Sequence, residues 1–194
     1  MKSDKIKKLT YFFFELGTLR KVIRSHQQYF FTNDLTDNIS SHSFRTALIG
    51  YFLAKEEKVD SNKVIKMCLL HDLEESRSGD QNWVNKKYVK VFEEEIRKEQ
   101  LLSLADSQEF LKLSQEYSER KTKEAKIAKD ADLLDQIFIL CEYRWQGNKE
   151  AAWWLEGEEQ EKLMFSKTAK RIAKLAKKQR PSEWWDNLWT NKRR

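Results

Sequence analysis

Two histidines and two aspartates in this chain have the types and positions of metal ligands. His71 and Asp72 are adjacent and follow an apolar stretch, and His42 lies near the start of the helix predicted before it. Asp132 interrupts a long apolar pattern, where an unpaired buried carboxylate would be costly unless it shared a cation. Two imidazoles and two carboxylates offer mixed nitrogen and oxygen ligands, which suit Mn²⁺, Co²⁺, Fe²⁺, Zn²⁺ or Mg²⁺. The four residues therefore predict a site for a divalent cation.

Such a site predicts the hydrolysis of a phosphate ester. The ligand set leaves open positions for a water and a phosphate oxygen, which is typical of catalytic rather than structural metal sites. The cation would lower the pKa of that water and polarise the phosphoryl group. A single His-Asp pair is common by chance, so the prediction depends on its combination with His42 and Asp132.

The elements that must position these residues are predicted to be helices. The chain has only 5 glycines and 1 proline in 194 residues, which favours helices joined by short connections. Apolar residues recur at three- and four-residue spacing in several segments. From this spacing we predict helices over about 5–24, 88–104, 108–117, 123–145 and 159–178.

Two further helices are predicted to carry the histidines. Ser40 or Ser41 could cap a helix that holds His42 in its first turn. A very apolar helix, capped by Asp60 or Ser61, delivers His71 and Asp72 at its end. The polar stretch over 74–85 is predicted to be irregular.

Length and composition favour one all-α domain. At 194 residues the chain suits a single compact domain, with a core over about 16–145 and a C-terminal helical extension over about 150–194. Cys68 and Cys141 lie in apolar helical segments without paired spacing, which indicates buried thiols in a reducing compartment. The aromatic run near the N-terminus stops at Glu15, too short for a signal or membrane span. We therefore expect a cytoplasmic protein without a membrane partner.

Charge and tryptophan content do not indicate a nucleic-acid-binding protein. The net charge of +6 comes from 37 basic and 31 acidic residues that are interspersed, which favours a solvated helical surface over a nucleic-acid groove. The tryptophan pairs at 153–154 and 184–185 have acidic neighbours, which favours core packing or a subunit contact over stacking on nucleic acid. Trp189 is predicted to share a terminal turn with the second pair.

The longer motif from His71 to Asp80 resembles a known family signature. The sequence HDLEESRSGD is similar to the His-Asp-x-x-Glu-x-x-x-Gly-Asp motif of HD-type phosphohydrolases, in the branch with bacterial 5'-deoxynucleotidases and their eukaryotic HD-domain relatives. The segment ISSHSFR, which ends at Arg45, resembles the Val-Ser-x-His-Ser/Thr-x-Arg segment of that branch. In KDADLL the family pattern assigns the ligand to Asp132 rather than to Asp130.

The resemblance implies roles for residues beside the metal. Glu75 and Asp80 match the carboxylates that lie next to metal and sugar, and Glu75 is the better candidate for handling a proton. Arg24 matches an upstream arginine that contacts phosphate, and Arg45 is assigned to substrate binding or to a pair with a carboxylate of the site. The family's nearby tryptophan is missing, so either His26 replaces it or His26 is a surface residue.

Two neighbouring carboxylates are harder to assign from sequence. Glu74 should project away from Glu75 and is predicted to be solvated. Asp135 follows Asp132 by three residues and could either orient a neighbour or lie on the surface.

The function implied by the resemblance is hydrolysis of a nucleoside 5'-monophosphate, preferably a deoxyribonucleotide. The chain has 3 histidines, of which two belong to the motif, so one divalent cation is expected rather than two. A homodimer acting on a small-molecule nucleotide is expected. Two alternatives stay open: an HD phosphohydrolase acting on a nucleoside triphosphate or a guanosine tetraphosphate alarmone, and a non-catalytic nucleotide-binding or scaffold protein.

Overall fold

A computed structural model describes residues 2–102, 104–157 and 159–188, and the regular elements in these ranges are all helices. The first half contains α1 (Lys2–Leu16), a 3-10 turn (Gly17–Lys21), α2 (Gln27–Phe30), α3 (Ile39–Glu56), α4 (Ser61–Leu70), α5 (Glu75–Ser78) and α6 (Asn85–Tyr88). The second half contains α7 (Glu93–Leu101), α8 (Ser107–Glu119), α9 (Lys123–Trp145), α10 (Lys149–Glu156), α11 (Glu159–Leu163), α12 (Lys167–Ala176) and a 3-10 turn (Glu183–Leu188). The all-α prediction is confirmed.

Helix α9 is the centre of the fold. It packs against α3, α4, α8, α10 and α12, and its residues Ile127, Ala131, Leu134 and Ile137 are almost completely buried. These residues recur at three- and four-residue spacing, so they form one stripe along the helix. The helix begins after Thr122, whose side chain accepts a hydrogen bond from the amide of Ala125. Its bounds agree with the predicted 123–145.

Helices α3 and α4 approach each other closely at Gly50. A Cβ atom at this position would lie 2.7 Å from Sγ of Cys68 and 3.1 Å from Cγ1 of Val64. Contacts this short are prevented by steric repulsion, so only glycine permits the observed separation of the helices. The close approach matters for the site because α3 carries His42 and α4 ends at His71.

Several helix bounds differ from the predicted ones. The first helix ends at Leu16 and the chain continues as a 3-10 turn, instead of staying helical to 24. Asn38, rather than Ser40 or Ser41, caps α3 by accepting from the amide of Ser41, whereas Asp60 caps α4 as predicted. Helix α7 begins only at Glu93, and the single helix predicted over 159–178 is divided into α11 and α12. Helix α10 was not predicted.

No helix in the described ranges is long and apolar enough to span a membrane. Both cysteines are buried and unpaired, as predicted. Trp184 and Trp185 are exposed in the final 3-10 turn, and Trp189 lies outside the described residues.

Candidate metal centre and substrate cavity

The two histidine rings meet where α3 begins and α4 ends. His42 is the fourth residue of α3, and His71 is the residue that follows α4. Their Nε2 atoms are 3.1 Å apart. Oδ2 of Asp72 lies 3.1 Å from Nε2 of His71 and 3.4 Å from Nε2 of His42. One donor atom from each of these three residues lies within 4.8 Å of the others, which is a suitable arrangement for a shared cation.

Asp132 completes the predicted set from α9. Its Oδ1 lies 3.4 Å from Nε2 of His42 and 3.9 Å from Nε2 of His71. Its other oxygen accepts a hydrogen bond of 2.6 Å from Nζ of Lys129. The structure thus brings together all four residues predicted as ligands.

The far sides of both imidazoles are held by acceptors. Nδ1 of His71 donates to the carbonyl oxygen of Cys68 at 2.7 Å, and Nδ1 of His42 faces Oδ2 of Asp135 at 2.6 Å. A carbonyl or a carboxylate can only accept, so Nδ1 carries the proton in each ring. In the neutral rings both Nε2 lone pairs then point at the same space, next to two carboxylates. Metal-ligating histidines are typically oriented in this way.

The electrostatics of this space favour a bound cation. Burial and nearby Arg24 oppose a charge on His42, yet hydrogen bonds with Asp132, Asp135 and Asp72 raise its pKa well above the ordinary value. In the absence of a metal, His42 therefore takes a proton to supply positive charge among these carboxylates. A divalent cation would supply positive charge at the same place, so the donor set fits a metal.

Arg45 lies behind the ligands rather than on the cavity wall. Its Nε donates to Oδ1 of Asp135, and its Nη1 donates to Glu142 at 2.6 Å. These bonds hold Asp135, which in turn holds His42. Of the two roles predicted for Arg45, the structure shows the pair with a carboxylate of the site, and Arg45 is absent from the cavity wall.

A cavity of about 660 Å³ opens beside the candidate ligands, and His71, Asp72 and Asp132 lie on its wall. Its wall includes the predicted residues Arg24, Glu75 and Asp80, together with His26, Trp83 and Trp154. The volume is that of a pocket for a small organic molecule.

Glu75 is the first residue of α5 and a half-buried acid on this wall. Burial raises the pKa of its carboxyl to about 10, and the nearby carboxylates of Asp72 and Asp80 add to the effect. Its buried Oε2 has no hydrogen-bond partner within the part of the chain that the structure describes. Glu75 therefore holds a proton at neutral pH and has an oxygen available to a ligand.

Arg24 and Asp80 also lie together on the cavity wall. Nε of Arg24 is 3.7 Å from Oδ2 of Asp80, and the same oxygen accepts from the amide of Ser25 at 2.6 Å. The buried Nε of Arg24 makes no hydrogen bond to the described residues, although Nη2 donates to Gln136 at 3.3 Å. Arg24 thus presents a buried donor toward the cavity.

His26 is not on the surface, and its ring does not offer an exposed face to a ligand. It is buried, and its Nε2 is 2.7 Å from Oδ2 of Asp37. Tyr143 of α9 donates to the same oxygen at 2.7 Å. His26 therefore ties the loop after Arg24 to the core, and the surface interpretation of this residue was wrong.

Glu74 also differs from its prediction. It is buried, because α7 covers it and places Nη1 of Arg97 at 3.5 Å from its Oε1. Burial raises the pKa of Glu74 to about 8. A charged helix downstream was predicted, but its packing over Glu74 could not be inferred from local spacing.

The aromatic part of the wall was missed by the sequence analysis. Trp83 follows Asp80 by three residues, and Trp154 comes from α10, the helix that was not predicted. Their ring centroids are 4.9 Å apart. Trp83 could have been noticed, because it is a large aromatic residue within the polar stretch after Asp80. No feature of the sequence near Trp154 linked that residue to the site.

The comparisons with known proteins agree with this geometry. The sequence profile of the HD domain matches residues 16–178, which is most of the chain. The chain belongs to the HD domain family. The resemblance stated from the motif from His71 to Asp80 is thereby confirmed.

Individual relatives of this HD domain cover different parts of it. It is 32% identical over 126 residues to the 5'-deoxynucleotidase HDDC2 of Dictyostelium discoideum, a match covering 58% of this chain and 66% of that relative, just under two thirds of its length. A conserved hypothetical protein from Pyrococcus furiosus has a solved structure with a TM-score of 0.72 and 27% identity, covering 88% of this chain and 99% of that one. A predicted metal-dependent phosphohydrolase from Magnetospirillum magnetotacticum shares the fold, with a TM-score of 0.64 at 22% identity over 90% of this chain and 94% of that one.

Proposed function

We propose that this protein is a metal-dependent phosphohydrolase that converts nucleoside 5'-monophosphates to nucleoside and phosphate, with deoxyribonucleotides preferred. The observation that carries the proposal is one cavity whose wall combines three of the candidate ligands, His71, Asp72 and Asp132, with Arg24, Glu75 and Asp80, while His42 lies directly behind them. The preference for deoxyribonucleotides is supported by the name of the Dictyostelium relative, a 5'-deoxynucleotidase.

His42, His71, Asp72 and Asp132 would hold the cation. When bound, it would supply Lewis acidity to a phosphoryl oxygen and make a water more acidic. Arg24 binds the phosphate, because its buried guanidinium carries a charge that Asp72, Asp80 and Asp132 stabilise despite the cost of burial.

Glu75 and Asp80 act on the ester itself. As water adds to phosphorus, its protons stay with the released phosphate, the bond to the 5'-oxygen breaks and that oxygen needs a proton. Glu75 donates it, since its carboxyl stays protonated at neutral pH. Asp80 is fixed by the amide and hydroxyl of Ser25, at 2.6 and 3.0 Å, and orients Arg24 and the sugar.

The charges of the cavity favour a monophosphate over a triphosphate. Five basic residues line the wall: Arg24, Lys86, Arg97, Arg120 and Lys129. Arg97 pairs with Glu74 and Glu93, and Lys129 with Asp132. Arg120 donates to the carbonyl of Tyr117 and lies 3.3 Å from the centroid of its ring. Arg24 keeps its Nε without a hydrogen bond to the described residues, and Lys86 pairs with no acidic residue among them. These two cations are available to substrate, which suits one phosphate better than three.

The test is phosphate release from nucleoside mono-, di- and triphosphates with added Mn²⁺, Co²⁺ or Mg²⁺, beside an Asp72→Ala variant. We expect release from monophosphates alone and loss of that release in the variant. Release that persists in Asp72→Ala would contradict the role of the metal site. Release from triphosphates would favour the alternative substrate, and no release from any nucleotide would favour a binding protein.

A homodimer and a cytoplasmic location stay predictions. Sedimentation of the purified chain and fractionation of cells would test them.

A further inference from the structure

Trp83 is an exposed aromatic residue on a concave wall. It remains 45% exposed although three aromatic residues surround it, with ring centroids at 5.3 Å for Tyr29, 6.3 Å for Phe30 and 4.9 Å for Trp154. Phe30 is 1% exposed and forms the base of this cluster. An exposed tryptophan face in a cavity leaves apolar surface in water, and a flat ligand could cover it.

The backbone around Trp83 is held in place before any ligand arrives. The buried side chain of Asn82 donates to the carbonyl of Ser25 at 3.2 Å and accepts from the amides of Val84 and Asn85, both at 3.0 Å. Ser25 also donates to Asp80. The residues that flank Trp83 are therefore joined to the residues that flank Arg24, so the phosphate end and the aromatic end of the cavity keep a fixed relation.

The distance between these two ends suits one nucleotide. Trp83 follows Asp80 by three residues, and three residues of chain span at most about 11 Å. A phosphate at Arg24 would thus leave its nucleobase within reach of the indole of Trp83. The rings of Trp83 and Trp154 are inclined at 46°, so they do not form a parallel sandwich. The base would stack on the open face of Trp83, with Trp154 and Phe30 supporting that ring.

We infer that Trp83 forms the nucleobase subsite of this cavity. The inference rests on the proposed function in that the ligand is a nucleotide, and it adds that the base contributes to binding by stacking on this residue. Stacking of a base on an aromatic side chain tolerates any base, since every base has a π face. Purines should bind more tightly than pyrimidines because they cover more of the indole.

The test compares a substrate that has a base with one that lacks it. Deoxyadenosine 5'-monophosphate and deoxyribose 5-phosphate are each assayed for KM and kcat with wild type, Trp83→Leu, Trp83→Phe and Trp153→Leu. Trp153 is the matched control, because it is 66% exposed and not part of the cavity wall. Thermal unfolding of each variant checks that it is folded.

We expect Trp83→Leu to raise the KM of the nucleotide about tenfold, as loss of one stacked base does, and to leave the KM of the sugar phosphate unchanged. Trp83→Phe should restore most of the affinity, and Trp153→Leu should match wild type. Equal changes for both substrates, or no change for either, would overturn the subsite.

A binding measurement separates this inference from the proposed reaction. Without added Mn²⁺, calorimetric titration of the nucleotide into the wild type and into Trp83→Leu measures Kd. This measurement does not depend on turnover. A tenfold weaker Kd in Trp83→Leu without any phosphate release from wild type would keep the subsite and reject the hydrolase. Phosphate release from wild type with an unchanged Kd in Trp83→Leu would keep the hydrolase and reject the subsite.

Discussion

Helix α9 carries a buried aspartate, Asp130, and a partly buried one, Asp132, only two residues apart, and they face opposite sides of the helix. Asp132 faces the histidines of the candidate metal centre. Asp130 faces α12 and accepts from the backbone amides of Phe165 and Ser166, both at 2.7 Å. Burial raises the pKa of Asp130, whereas at Asp132 the charges of Lys129, His42 and His71 reverse this effect and hold the pKa well below its ordinary value. A carboxylate inside the fold therefore indicates a binding partner. Backbone amides as partners indicate a structural role, whereas histidines and another carboxylate indicate a candidate metal site.

The largest predicted effect is on the metal side. Asp132→Asn should lower kcat/KM by at least about 10³-fold, because metal catalysis contributes several kcal/mol to the transition state. Its free energy of unfolding without metal should also fall, because a pKa held below the ordinary value means that the ionised carboxylate stabilises the folded state. Phosphate release measures the first effect, and thermal unfolding with and without Mn²⁺ measures metal binding. Normal stabilisation of the variant by Mn²⁺ would remove Asp132 from the ligand set.

Asp135 should have the next largest effect, through His42. Asp135→Asn keeps the size of the side chain but weakens its hold on Nδ1 of His42, so metal affinity should fall about 10- to 100-fold. Activity should recover as the Mn²⁺ concentration is raised. A loss of kcat that saturating Mn²⁺ does not restore would show that Asp135 acts on something other than metal binding.

Asp130 should affect stability alone. Asp130→Asn can accept only through its single carbonyl oxygen, so one of the two amides at 165–166 loses its acceptor, at a cost of about 1–3 kcal/mol. Urea unfolding would measure this loss. Below its unfolding temperature the variant should keep the kcat of wild type. A large fall in kcat would mean that Asp130 contributes to activity, as Asp132 does, and not to stability alone.

The smallest effect is predicted near the end of α9, at Tyr143. Tyr143→Phe removes the hydrogen bond to Asp37 and should cost about 1 kcal/mol at neutral pH. Burial opposes ionisation of Asp37, but His26, Tyr143 and Arg24 outweigh it and lower its pKa below the ordinary 3.8. The ionised carboxylate thus stabilises the folded state above about pH 4, and this contribution is lost as the pH falls through the lowered pKa.

The difference in unfolding free energy between wild type and Tyr143→Phe should therefore narrow below about pH 4. Urea unfolding at a series of pH values would measure it. A difference that stays constant to low pH would mean that the ionised form of Asp37 is not what Tyr143 stabilises.

The two sides of α9 also show what could be predicted from the sequence. The helix itself and the four candidate ligands were predicted, because periodic apolar residues and a carboxylate within an apolar segment are local signals. The family pattern was needed to choose Asp132 over Asp130, since both are aspartates in the same short segment of the predicted helix. The roles of Arg45 and Glu74 depend on contacts with distant helices, as in the pair between Glu74 and Arg97, and no local spacing encodes them.

The aromatic part of the cavity wall was not predicted from the sequence, because it too depends on a contact between distant segments. Trp83 and Trp154 are 71 positions apart in the numbering and meet only because α10 folds back over the loop after Asp80. The capping residue Asn148, which accepts from the amide of Ala151, was a visible start signal for α10.

Gly50 has a practical consequence for anyone who varies this sequence. It lies two turns of helix from His42 and carries no reactive group, yet a single added methyl would force α3 away from Cys68 and Val64. A mutational screen would score such a change as loss of function, although every chemical group of the site is intact. In redesign, Gly50 belongs with the ligands as a position to hold constant, because the spacing of two helices is as much a part of the ligand geometry as the imidazoles themselves.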